Sequence, residues 1–218
     1  MEKKDFLTKE EFSFDDFAEL VRFLRAPDGC PWDREQTHKS IRANFIEETY
    51  EAVEGIDRED PKILREELGD VMLQVLLHAV MEEEAGNFTV RDVINDICRK
   101  LVFRHPHVFG DRTAGNADEA IANWDELKKK EKGQKDALQS IRSVSPALPS
   151  LMRAEKLYKK AKKNGLIPSC AADETADAAG TGEKLFDLCA LCAENGWDAE
   201  QILYEQNERF ISSLQDRA

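Results

Sequence analysis

The sequence has no apolar run near the roughly 20 residues that a membrane-crossing helix needs. Nor does any stretch alternate apolar and polar residues for long enough to suggest a strand. Cysteine is scarce and odd in number: Cys30, Cys98, Cys170, Cys189 and Cys192. The start, "MEKKDFLTKEEF", has no apolar core and does not read as a secretory leader. Reduced thiols in a cytoplasmic protein are therefore expected. Cys189 and Cys192 form a CxxC among Leu185, Leu188 and Leu191, with no second cysteine or histidine pair nearby. Buried thiols are expected there rather than a metal or redox site. Positive charge is also short: 31 Lys and Arg stand against 44 Asp and Glu, a formal charge of -13. Such a surface repels nucleic acid and anionic membrane, so neither is an expected partner. A free nucleotide could still bind in a local basic pocket, helped by a divalent cation.

What is present is helical period almost throughout, in 218 residues that allow one domain or two small ones. Ser13 and Asp16 form a capping box for a first helix through Phe17, Leu20, Val21 and Leu24. "RAPDGCPWD" breaks the chain, and Thr37 is placed to cap a second helix running to about Ile56. Asp60 and Pro61 suit the N-cap and first position of a third helix, which should end near Ala85. Thr89 and Asp92 form another capping box for a fourth helix ending near "RHPH", and "ADEAIANWDELKKKEK" reads as a fifth. The fold class expected is all-α, a helical bundle. Residues 1–132 read as one domain and the weakly periodic 133–149 as a linker. Residues 150–218 read as a shorter helical segment that opens on the basic helix "LMRAEKLYKKAKKNG" and passes through a small-residue loop, "SCAADETADAAGTG". "LHAVMEEEAGNFTVRDVINDICRKLVFR" can be laid against "LCALCAENGWDAEQILYEQNERFISSL", so the second part reads as a degenerate copy of the first.

Carboxylates crowd two of these helices, in "IEETYE" and "EELGD". Positions i and i+3 share a helix face, so Glu48 and Glu51 project together from the second helix, and Glu67 and Asp70 from the third. The short turn at "DREDP" makes those helices antiparallel neighbours, with the two pairs at similar heights. Four carboxylates then converge on one groove. Two such charges about 4 Å apart repel by roughly 4 kcal/mol at an effective dielectric near 20. Protons or cations must neutralise them, and all-oxygen donors suit Mg²⁺, or Mn²⁺ as a substitute, rather than zinc. The plain alternative is an exposed acidic helix face. A di-iron carboxylate centre would need two Glu-x-x-His motifs, and neither pair has a histidine at that spacing.

The pieces "CPWDREQTH", "FIEETYEAVEGI", "LREELGDVMLQV", "KLVFRHPHVFGD" and "NWDELKKKEK", in this order over roughly residues 15–132, resemble the MazG family of nucleoside triphosphate pyrophosphohydrolases. The resemblance implies an all-α, MazG-like fold and a homodimer or higher homo-oligomer. It implies cleavage of a (d)NTP substrate between the α- and β-phosphates to (d)NMP and pyrophosphate, in nucleotide-pool cleansing or stress response. Carried over, Glu48, Glu51, Glu67 and Asp70 become Mg²⁺ ligands. Glu47, beside them, becomes the candidate for positioning or deprotonating the attacking water. Lys100 and Arg104 match family positions near the phosphates, and Lys128 is a third candidate; solvated surface charge is the alternative for each. Asn44, one turn before Glu48, would meet a sugar or base edge, with a plain helix-surface asparagine as the alternative. Trp32 would stack on a base, or else anchor its loop as a buried residue. His105 and His107 are expected to shape a turn. The alternative to an enzyme is a non-catalytic nucleotide-binding regulatory module.

Overall fold

The computed structural model describes residues 3–131, 137–167 and 177–214, the side chains of 125, 129 and 130 excepted. Among the described residues all regular structure is helical. A short 3-10 turn, Lys3–Leu7, precedes α1 (Phe14–Arg25), α2 (Pro31–Glu35), α3 (Arg42–Asp57), α4 (Pro61–Glu84) and α5 (Val90–Arg104). Then follow α6 (Pro106–Phe109), α7 (Ala117–Glu131), α8 (Ala137–Arg142), α9 (Ser150–Lys163), α10 (Ala178–Glu194) and α11 (Ala199–Ser213). The chain divides into two compact units, Met1–Phe103 and Arg104–Ala218.

In the first unit, local side-chain chemistry sets most helix starts. Ser13 and Asp16 form the full capping box of α1, and Thr89 and Asp92 exchange the same two bonds ahead of α5. Asp60 accepts from the backbone N–H groups of Lys62 and Ile63, with Pro61 in the first turn of α4. Thr37 does not start a helix. Its N–H donates to Ser40 Oγ while the Ser40 N–H donates to Thr37 Oγ1, which closes a turn on itself. The helix begins instead at Arg42, after Ile41, which is 2% exposed and sits in the core with Val21, Leu76 and Val80. Burial of Ile41 therefore places this helix start. Ile41 offers no side-chain cap.

α3 and α4 pack as a hairpin. The Glu59 N–H donates to Ile56 O and the Asp60 N–H to Gly55 O, both at 3.0 Å. This is the paired-bond helix ending usually built with glycine. Here Glu59 holds the left-handed conformation, at φ 52°. Gly55 lies at the closed end of the hairpin, where a Cβ would stand 2.8 Å from Leu64 N. Gly69, in the middle of α4, has nothing within 4 Å of a Cβ position. Gly69→Ala should therefore stabilise the unit by roughly 0.5–1 kcal/mol through the entropy of the unfolded chain. Urea unfolding of parent and variant checks it. Apolar side chains stay exposed on α3 (Ile46, Tyr50, Val53), α4 (Leu68, Met72) and α5 (Ile97, Leu101).

The second unit has its own core of Ile141, Val144, Leu157, Ala161, Ile211 and Leu214. Of the segment 133–149, residues 133–136 lie outside the described residues, and the rest departs from a plain connection. It carries α8, whose Ile141 is fully buried, followed by buried Val144. Six residues are too few to display a helical period, so burial reveals what pattern could not. Within "SCAADETADAAGTG", residues 178–182 are the first turns of α10, capped by the Asp177 side chain on the Gly180 N–H. The earlier part of that stretch, with Cys170, is not among the described residues. Cys189 is exposed and Cys192 half-buried, which corrects the expectation of two buried thiols. The leucines around them, Leu185, Leu188 and Leu191, are exposed as well. α4, α9 and α10 each end on a glycine in the left-handed region, Gly86 (φ 75°), Gly165 (φ 70°) and Gly196 (φ 68°). The next residue's N–H donates to the carbonyl five residues earlier in each case, Asn87 to Glu82 O, Leu166 to Ala161 O and Trp197 to Cys192 O, so this ending is shared beyond the helices that the proposed repeat pairs.

Candidate metal centre

The α3–α4 hairpin brings Glu48, Glu67 and Asp70 together. One oxygen of each lies within 4.8 Å of the others, and all three side chains are half-buried. The cause is register: Glu48 stands about as far before the bend at 58–60 as Asp70 stands after it. Burial first, and then the charges of Asp70, Glu51, Glu67 and Glu47, push the Glu48 carboxyl above its ordinary range. Glu67 is raised likewise by burial, by Glu51 and Asp70, by Glu66 and by a hydrogen bond with Glu51. Glu51 is thus at the cluster's edge, exposed and leaning on Glu67. None of Glu48, Glu67 and Asp70 has a salt bridge among the described residues. An arrangement of acceptors alone, held close against their own repulsion, fits a hard divalent cation and fits a soft one poorly.

The other residues singled out from sequence are placed as follows. Glu47 and Asn44 are exposed on α3, and Lys100 is half-buried on α5. Trp32, on α2, is 62% exposed, so it is not the buried anchor of its loop. Arg104 and Lys128 belong to the second unit, where both lie against Trp124. The guanidinium is 5.1 Å and the ammonium 4.5 Å from the ring centroid. Arg104 is only 6% exposed, and its Nε donates to Glu131 Oε2 at 2.7 Å. It is therefore no solvated surface charge. His105 and His107 lie 5.6 Å apart by ring centroid around Pro106, which opens α6. Reading the sequence left out Trp124, although Trp124 and Lys128 are spaced one helical turn apart, and that spacing is the signal for their contact. It also left out Gln74, one turn beyond Asp70, whose buried Oε1 has no hydrogen-bond partner.

Comparison with known proteins gives a consistent picture. The family described as "MazG nucleotide pyrophosphohydrolase domain" matches residues 36–109. The chain is 48% identical over 157 residues to "Uncharacterized protein YabN" of Bacillus subtilis, covering 72% of this chain and 32% of that protein. It is 41% identical over 152 residues to "Nucleoside triphosphate pyrophosphohydrolase/pyrophosphatase MazG" of Thermotoga maritima, covering 70% and 58%. The "Nucleoside triphosphate pyrophosphohydrolase" of Escherichia coli K12 is 35% identical over 214 residues, covering 88% and 81%. The matched stretch thus spans about a third of the Bacillus protein and somewhat over half of the Thermotoga one. Similarity that runs along most of the Escherichia coli protein and takes in both acidic helices leaves one conclusion: the chain belongs to the MazG family of nucleotide pyrophosphohydrolases.

Proposed function

We propose that this chain is a Mg²⁺-dependent nucleoside triphosphate pyrophosphohydrolase that cleaves a (d)NTP between its α- and β-phosphates. The products are the monophosphate and pyrophosphate, and the role is nucleotide-pool cleansing or a stress response. The carrying observation is the half-buried trio Glu48, Glu67 and Asp70, acceptors without a cationic partner among the described residues. Relatives named for this reaction add support.

In this reading Glu48, Glu67 and Asp70, with Glu51 at the edge, hold the cation. A bound divalent cation would offset the charge of the polyphosphate and lower the pKa of a coordinated water. Glu47, next to Glu48 on α3, would position or deprotonate the attacking water, directly or through the bound cation. Lys100, Arg104 and Lys128 are the candidates for the phosphate oxygens. Asn44 would hydrogen-bond a sugar or base edge, and exposed Trp32 is free to stack on a base. The exposed apolar side chains of α3, α4 and α5 support a homo-oligomer, because a second copy would remove them from water.

Product analysis tests the proposal. Each common nucleotide is incubated with the chain and Mg²⁺, and monophosphate with pyrophosphate is the expected pair. Diphosphate with orthophosphate would mean a different phosphohydrolase. Binding without turnover would mean a regulatory module, a reading that the complete carboxylate set disfavours.

A further inference from the structure

At the open end of the α3–α4 hairpin, three side chains form a hydrogen-bonded chain away from the carboxylates. His38, in the loop before α3, places Nε2 2.8 Å from Glu82 Oε1. Its Nδ1 stands 2.7 Å from Nδ1 of His78. The two rings lie edge to edge, 5° from parallel with centroids 5.0 Å apart, and the Phe45 ring of α3 lies 5.4 Å from that of His78 by centroid. Asn87 Nδ2 donates to the second Glu82 oxygen at 2.6 Å. A cavity of about 350 Å³ adjoins the rings.

The donor logic is restrictive. Glu82 as a carboxylate only accepts, so His38 Nε2 carries a hydrogen. One hydrogen then bridges the two Nδ1 atoms. The neutral pair satisfies this with His78 donating to His38. A pair with one added proton satisfies it too. A second added proton sets N–H against N–H at 2.7 Å between two imidazolium rings lying edge to edge, so the contact has to part. We propose that Glu82, His38 and His78 are a proton-counting latch that fixes the start of α3, the helix of Glu48 and Glu51, and that opens on acidification. Two features of the fold make the latch matter. α3 has no side-chain cap of its own, and the loop ahead of buried Ile41, closed on itself through Thr37, Ser40 and Gln36, is held from α1 at its far end, where Arg25 Nη1 donates to Gln36 O at 3.3 Å.

Among the described residues that line the adjoining cavity, Glu82 is the one titratable group besides the pair. α3 contributes Phe45, α5 contributes Val93, and the connection between α4 and α5 contributes Phe88. On the α1 side, Arg22 and Arg25 are engaged by Glu83 and Glu84. Burial, with the nearby His38, holds His78 below the ordinary histidine value of 6.5. A base whose pKa is depressed by folding stabilises fully above its unfolded value, and that stabilisation is lost as pH falls below it. His38 and His78 are thus positioning residues.

The test uses the full chain without metal or nucleotide. Thermal midpoints of the parent and His78→Gln are measured from about pH 7.5 down to about pH 5.5, the window of histidine titration. Glutamine can donate to His38 Nδ1 but does not titrate. The parent midpoint should fall by several degrees more than that of the variant as the pH drops. Parallel curves would overturn the latch. Ring-nitrogen NMR of the parent gives a second readout that needs no variant. Linked titrations of His38 and His78, with His78 depressed, support the proposal. Two independent titrations near the ordinary value refute it.

Discussion

Asp70→Asn should release pyrophosphate at least roughly a hundredfold more slowly than the parent, since even partners one shell outside a metal site cost 10–100-fold when removed. The helices should survive the change. Asp70 is half-buried beside Glu48 and Glu67, both of them pushed upward by burial and by neighbouring charge. Amidation removes one of the mutually repelling charges, so at pH 8 without metal the variant should melt no lower than the parent, and somewhat higher. With metal the order reverses. A ligand at a hundred times its Kd stabilises the native state by about 2.7 kcal/mol, a gain that the parent should show with Mg²⁺ and the variant should largely lack. Thermal melts with and without Mg²⁺, run beside pyrophosphate release, separate the two effects. Hydrolysis at the parental rate, or an undiminished Mg²⁺ shift, would remove Asp70 from the site.

Gly55→Ala should damage the same site from a position that touches no substrate. Alanine is the better helix former by about 1 kcal/mol, and at an open position such as Gly69 that preference prevails. At Gly55 the new methyl would stand 2.8 Å from Leu64 N, 3.0 Å from Leu64 Cα and 3.2 Å from Ile63 Cγ2. Two of these are backbone atoms and cannot rotate away, so α3 and α4 must part at the closed end of the hairpin. Overpacking of this kind costs about 1–3 kcal/mol, and each kcal/mol moves the midpoint of a unit this size by about 4–8 °C. Glu51 lies one turn before Gly55, so a tilt there also carries it away from Glu67. The expected result is a lower midpoint together with weaker Mg²⁺ binding by calorimetry. A variant that melts above the parent would show that the helices yield without strain.

The contrast between these two glycines shows what the sequence reveals and what it conceals. Both interrupt helical patterns, and nothing local tells a glycine that admits a neighbouring backbone from one in open space. Features that depend on a few consecutive residues read directly: the capping boxes of Ser13 and Thr89, the Asp60–Pro61 start, and the shared faces of Glu48 with Glu51 and Glu67 with Asp70. The meeting of Glu48, Glu67 and Asp70 was legible too, because a short bend and the helical period together fix which residues stand level. Contacts between distant residues were not. His38 meets His78 across forty positions, and the α3 start depends on a core that only the folded chain creates around Ile41. Trp32 allowed two readings, a base-stacking ring or a buried anchor for its loop, and its exposure excludes the second. Arg104 read as a candidate for phosphate, and its side chain proves to be held by Trp124 and Glu131. The MazG resemblance supplied the reaction. The elementary reading alone stopped at a hard cation between two helices.

The three-residue bend Arg58–Glu59–Asp60 carries a consequence for how this protein can diverge. Surface connections usually gain and lose residues freely. Here one added residue taken up into α4 would slide the following side chains by about 1.5 Å along the rod and swing them through about 100° relative to α3. The acids would then miss one another, although no acid had been altered. Drift in length should therefore be filtered out at this exposed corner as stringently as drift in identity is inside the groove, and the left-handed glutamate there can give way to glycine or asparagine far more readily than it can be skipped or doubled.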